Sequence, residues 1–274
     1  MIKFTLICAL GFFTVAKTLS NHAVAESKPA INDLVLEVVQ NMPSRGGYDV
    51  SPEAFANLKK SITVKNNNLE VMASGAHPSF CSESTYLVFT QVLAQLQKQG
   101  KLHLTEADWQ NFTVGNPSEQ PDGSGVWGRW NSNGPGTARL FEELQLGRNF
   151  TKIDEALPGD FMKIFWNDEI GAKEKGHSVI FMGVRVEPSG RKICYWSSNQ
   201  AYEGEPAGGM GVKCSDEKKI HRTLFSRLEN PRALEKSLAS ISSVSKKYTD
   251  PYLSSLLKVA SSPKEMCDKV NCVK

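Results

Sequence analysis

Apolar residues crowd the start of the chain. Ile2 to Ala16 is almost wholly apolar and holds no acid, Lys3 supplies a positive charge at its head, and Ala23-Val24-Ala25 places small residues before Glu26. That order predicts a cleavable secretory signal peptide over residues 1–25. The run falls short of the roughly 20 apolar residues of a spanning helix. Lys17 and Asn21 interrupt any longer reading, and Cys8 lacks the small residues that precede a lipidated cysteine. No later stretch is long and apolar enough to span a bilayer.

Past the signal the spacing is first helical. Residues 26–78 read as a lead-in of helix and loop, with Leu34, Val35, Val38 and Val39 at helical spacing and Ser51-Pro52-Glu53 as a helix start. Glu83 to Gln99 carries the clearest stripe, Phe89, Val92, Leu93 and Leu96, and Gly100 fits its C-terminal cap. Cys81 falls in the first turn of this helix, with Ser79 as its expected cap. Residues 115–137 are dense in Gly, Pro, Asn and Ser and read as loop around Trp127 and Trp130, and Thr137 to Leu146 reads as a short helix. Strands then follow: Phe161 to Trp166 after the Pro158-Gly159-Asp160 turn, Ser178 to Val186, and Lys192 to Ser197 across Pro188-Ser189-Gly190. Residues 201–211 read as glycine-rich loop, and past Arg232 the chain turns helical again, over Ala233–Ser243 and Pro251–Ala260. Helices followed by an antiparallel run of strands make an α+β pattern. The expected organisation is a signal at 1–25, a domain over 26–230 and a helical C-terminal extension over 231–274.

Composition narrows the function classes. Removing Lys3 and Lys17 with the signal leaves 30 basic residues against 29 acidic ones. So balanced a charge argues against nucleic acid or anionic lipid as the main partner. Five cysteines remain, Cys81, Cys194, Cys214, Cys267 and Cys272. An odd number in an exported chain leaves at least one free or paired between chains.

A cysteine attacks as thiolate, and a helix N-terminus favours the thiolate through unpaired N–H groups and the positive end of the dipole. The same N–H groups can hold an oxyanion. Cys81 is therefore the candidate nucleophile. Its base should be a histidine. Four remain, and of His77, His103, His177 and His221 only His177 opens a strongly apolar strand. A third polar group should orient the imidazole. Hairpin pairing returns Ser197-Ser198-Asn199 beside His177, and alternation puts Ser197 and Asn199 on one face. Asn199 is the first choice, because its side-chain oxygen can accept the ring N–H, and Ser197 is the alternative.

These motifs in this order resemble the NlpC-type and CHAP-type cysteine peptidases and amidases of the papain-like superfamily. The carriers are Cys81 at a helix start, "LPGDF" opening a strand at Phe161, "GHSVIFMG" around His177, and a strand ending in Asn199, so the likeness covers roughly residues 75–215. It implies a papain-like core, with the nucleophile helix packed on an antiparallel sheet, and a cysteine hydrolase that cuts peptide or amide bonds, first of all in bacterial peptidoglycan. Cys81 then matches the nucleophile, His177 the base and Asn199 the orienting group. Two positions depart from the pattern: Phe80 stands where NlpC-type enzymes carry Asp, and Ser197 where CHAP-type enzymes carry an acid.

With Cys81 free, Cys194, Cys214, Cys267 and Cys272 make two disulfides in one of three connectivities. The local choice is Cys194–Cys214, restraining the edge beside Asn199, and Cys267–Cys272. Trp127 and Trp130 read either as core anchors or as lining of a substrate groove. No HxxH or HExxH occurs and Cys267-x4-Cys272 has no nearby histidine, so no metal or cofactor is predicted. Two other readings compete with hydrolysis: a non-catalytic envelope binding or structural protein on the same fold, and a thiol acyltransferase.

Overall fold

The computed structural model describes residues 31–115, 125–170, 173–241, 267–268 and 270–272. The predicted signal peptide and the predicted helix Pro251–Ala260 lie outside these residues. In chain order the elements are α1 (Ile31–Asn41), β1 (Arg45–Gly46), α2 (Pro52–Ser61), β2 (Ile62–Lys65), β3 (Asn68–Val71), α3 (Cys81–Lys98), α4 (Glu106–Gln110), α5 (Gly125–Asn131), α6 (Gly136–Glu143), β4 (Gly147–Phe150), β5 (Phe161–Phe165), β6 (His177–Glu187), β7 (Gly190–Asn199), β8 (Gly209–Asp216), β9 (Arg222–Leu228) and α7 (Leu234–Ser237). The architecture is α+β.

Seven strands form one sheet in the order β1-β8-β7-β6-β5-β9-β4, each neighbour antiparallel to the next, and β2 and β3 make a separate hairpin. Strands β5 to β8 run as a meander, and β9 returns beside β5. Alternation sends Phe161, Ile180, Trp196 and Met210 into the core shared with the helices. Met162, Ile164, Val179, Phe181, Ile193 and Tyr195 cluster apart from it, with Phe150 and Phe225.

Helix α3 is the spine of the first core. Tyr86, Leu87, Val88, Phe89, Val92 and Leu93 are all fully buried. Burying each of these is worth about 1.5–3 kcal/mol. Gly100 (φ +67) ends the helix, with Lys101 N donating to Leu96 O at 2.8 Å, as a Schellman cap requires. At its other end Ser79 is not the cap. Phe80 holds that position, and Glu83 Oε2 accepts from Phe80 N at 3.1 Å. Ser51 does cap α2, accepting from Ala54 N at 3.3 Å.

Part of the segment read as loop over 115–137 is helical. Helix α5 is set by Trp127 and Trp130, which are 1% and 0% exposed, so neither lines a groove. Both rings are used up in holding α3. Trp130 stacks on Phe89 at 4.7 Å between ring centroids and donates from Nε1 to Ser82 O at 3.1 Å, while Trp127 meets Tyr86 edge-on at 5.1 Å. The glycine-rich loop read over 201–211 ends early, since β8 starts at Gly209. The predicted helix Ala233–Ser243 is shorter: α7 lies between 3₁₀ turns at Pro231–Ala233 and Leu238–Ser240, with Leu234, Leu238 and Ile241 buried in the main core.

Cys194 and Cys214 form a disulfide between directly paired positions of β7 and β8, Cys267 and Cys272 form a second, and Cys81 is free. Among the described residues no helix is long and apolar enough to cross a membrane. Both facts are compatible with an exported protein.

Candidate active site

The site is built where the first turn of α3 meets the ends of β6 and β7. A net of buried serines holds that junction. Ser84 Oγ accepts from Ser198 N at 2.8 Å and donates to Cys81 O at 3.0 Å. Ser198 Oγ donates to Ser79 O at 2.8 Å, and Ser79 Oγ donates to Ser198 Oγ at 3.0 Å. The three bonds to Ser198 tie the helix start to the strand end, so the backbone on both sides of Cys81 is fixed relative to β7.

Cys81, His177 and Asn199 line one cleft of about 430 Å³, with Tyr48, Trp166, Tyr195, Gln200, Lys213 and the segment Lys173–Gly176. His177 opens β6 and Asn199 closes β7. Asn199 Oδ1 lies 3.1 Å from His177 Nε2. The orientation of the Asn199 amide follows from its other partners. Its Nδ2 donates to Ser197 O at 2.9 Å and to Gly211 O at 3.0 Å, and two carbonyls can only accept. Oδ1 must therefore face the ring, so the proton sits on Nε2, and Nδ1 is the nitrogen left with a lone pair for the thiol. Tyr195 packs edge-on against the imidazole, with centroids 5.7 Å apart at 81°.

Cys81 is partly exposed. Burial of its sulfur pushes the thiol up. The hydrogen bond and charge of His177, the Ser178 backbone N–H and the charge of Lys163 outweigh it and hold the thiol below its ordinary value. Lys163 is buried on β5, with Nζ donating to Ser132 O at 2.8 Å. Glu83, two residues along α3, is fully buried, and burial raises its carboxyl to about 9 despite the hydrogen bond from Phe80 N. It is thus neutral at ordinary pH and adds no negative charge beside the thiolate. Burial first, and then the charge of Cys81, pushes the Tyr48 phenol above its usual range, so it stays a neutral hydroxyl on the cleft wall.

The structure brings together Cys81, His177 and Asn199. It does not bring Ser197 to the ring: that hydroxyl donates to Ser178 O at 2.7 Å and is fully buried. Trp166, expected inside a strand, instead follows the end of β5 and stands 39% exposed at the cleft. The other histidines lie elsewhere. His77 packs over Gly46, where an added Cβ would sit 1.9 Å from its Nδ1, and neither His103 nor His221 lines the cleft. Sequence reasoning missed Ser84 and Ser198, Glu83 and Tyr48. The first three are ordinary helix and strand residues in pattern, and Tyr48 reaches the cleft through long-range backbone ties, a bridge to Ser79 and a bond from its N–H to Ala207 O.

Chemically, the arrangement has a thiol held toward its ionised form, a base of fixed tautomer and an orienting amide. Comparison with protein-family models, with curated proteins and with solved structures gives no match.

Proposed function

We propose that this chain is an exported cysteine hydrolase of the papain-like, NlpC- or CHAP-like kind, which cleaves peptide or amide bonds, with bacterial peptidoglycan as its first substrate. The observation that carries the reading is the Asn199 amide. Its two carbonyl partners leave Oδ1 for His177 Nε2, which leaves Nδ1 as the ring nitrogen free to take the proton of Cys81, whose thiol His177 holds below its ordinary value. A buried structural thiol needs no such arrangement.

In this reading the Cys81 thiolate attacks the substrate carbonyl, and the N-terminal N–H groups of α3 face the developing oxyanion. His177, protonated as the thiol ionises, gives its proton to the leaving amine as the C–N bond breaks, which leaves an acyl-thioester on Cys81. Water then attacks the thioester, His177 takes its proton, and the acid is released as the thiol is restored. Asn199 keeps the imidazole in place through both half-reactions. The CHAP-type acid has its counterpart at Ser197, whose hydroxyl holds the carbonyl of Ser178, the residue that hydrogen-bonds the thiol. The signal-like start of the sequence and the two disulfides support export to a compartment where such a wall is met.

Mass spectrometry of muropeptides after digestion with the wild-type chain and with Cys81→Ala tests this directly. The expected result is a defined set of cleaved stem peptides that disappears with Cys81→Ala. Equal digestion by the variant would overturn the mechanism.

A further inference from the structure

The charges around the cleft are unequal. Lys173, Lys175 and Lys213 line it, and Glu174 is the single carboxylate among its lining residues. Glu174 is spent on its own loop: Oε1 accepts from Gly176 N at 2.9 Å, and Oε2 accepts from Trp166 N at 3.3 Å and Asn167 Nδ2 at 3.4 Å. Lys173 is neutralised by Glu169 at 2.7 Å. The neutral donors on Glu174 hold it in place without cancelling its charge, so two cations without an ionic partner among the described residues stand against one carboxylate. Lys175 is exposed, two residues before the base, and has no acidic partner among the described residues. Lys213 stands opposite Tyr195 on β8, with Nζ 5.6 Å from the Tyr202 ring centroid, and it too has no acidic partner among the described residues. An aromatic face positions an ammonium without cancelling its charge. With Glu174 counted, the two lysines leave the cleft with a small net positive charge in a chain of nearly balanced charge, and a cleft concentrates the field of its own sign.

We propose that Lys175 and Lys213 select substrates that carry a carboxylate beside the scissile amide. The inference rests on the reading of Cys81 as the nucleophile. It adds that the substrate is an acidic peptide, its free carboxylate held between the loop before β6 and strand β8, so that the carbonyl under attack lies over Cys81. A substrate of the same shape with that carboxylate amidated loses the attraction and pays the desolvation of two ammonium groups.

Alkylation of Cys81 by iodoacetate and by iodoacetamide tests the selection, because the two reagents share one leaving group and differ in charge. The rates are followed by mass spectrometry of the full chain for wild type, Lys175→Gln, Lys213→Gln, the double variant and a control, Lys236→Gln, which lines a separate cleft. Protonated His177 itself favours iodoacetate, so the reading is the change in the ratio of the two rates. Each cleft variant should lower the iodoacetate-to-iodoacetamide ratio about two- to threefold and the double variant about fivefold, with the control unchanged and the differences shrinking in about 0.5 M salt. An unchanged ratio in the double variant, with Cys81 still reactive, overturns the inference alone. A Cys81 inert to both reagents overturns the nucleophile reading and this inference with it.

Discussion

At the residue scale the site depends on how neighbours set the state of three groups. Asn199 gives His177 its tautomer, His177 and Ser178 hold the Cys81 thiol down, and Glu83 is kept neutral by burial at about 9. Glu83 makes a distinct prediction about stability. Its native value lies above the ordinary 4.5, so between 4.5 and about 9 the native state holds a proton that the unfolded state has lost. The contribution is fully present below the unfolded value and is lost as pH rises toward the folded one, by up to about 1.4 kcal/mol per pH unit. Urea unfolding from about pH 5 to about pH 9 should show this decline in wild type. In Glu83→Gln, which copies the neutral acid, the decline should flatten. Cys81, His177 and Asn199 were legible in the sequence because their order along a helix and a hairpin is itself a pattern. Glu83 and Tyr48 were not, since burial and a loop contact across the fold give them their states and no local spacing encodes that.

At the scale of elements, β7 and β8 matter most. Asn199 belongs to β7, one of the two carbonyls that orient it belongs to Gly211 on β8, and Cys194–Cys214 joins the two strands at paired positions. Replacing both cysteines by serine should cost about 2–4 kcal/mol in urea unfolding. It should also lower the rate of muropeptide cleavage, as Gly211 O is no longer held against the Asn199 amide. Unchanged cleavage would separate the disulfide from the site. The β6–β7 hairpin could be read because an apolar run flanks Pro188-Ser189-Gly190. Strand β8 could not, since its Gly209–Asp216 opens on Gly209 and Gly211 and ends on a polar run at the sheet's far side, where β1 pairs with only two of its residues. The β2–β3 hairpin had a signal that went unread: Asn66 and Asn67 take φ of 52° and 56°, the left-handed turn for which Asn is suited. Loop-forming neighbours hid α5, because the breakers around Trp127 and Trp130 outweigh propensity in a local window, and only packing against Phe89 and Tyr86 settles the segment as helix.

At the scale of the whole molecule the site end of the sheet depends on anchors at its other strands. Asp160, read as part of a turn, is fully buried and accepts from Asn32 Nδ2 at 2.9 Å, Leu157 N at 2.8 Å and Arg227 Nη2 at 2.7 Å, which pins α1 and β9 to the head of β5. Removing the carboxylate strands the Arg227 charge, so Asp160→Ala should lose about 3–5 kcal/mol, read from the urea midpoint. The α+β class was legible from the order of elements. The sheet order was not, because the return of β9 beside β5 is a long-range pairing of a strand drawn from a charged stretch. All these levels bear on one claim, that Cys81 is a nucleophile activated by His177. The rate of Cys81 alkylation by iodoacetamide as a function of pH, in wild type and in His177→Ala, measures it most directly. The predicted result is fast reaction persisting below pH 7 in wild type and a rate in His177→Ala that rises only toward the ordinary thiol value near 9. One rate profile shared by both proteins, rising only near that ordinary value, would contradict it.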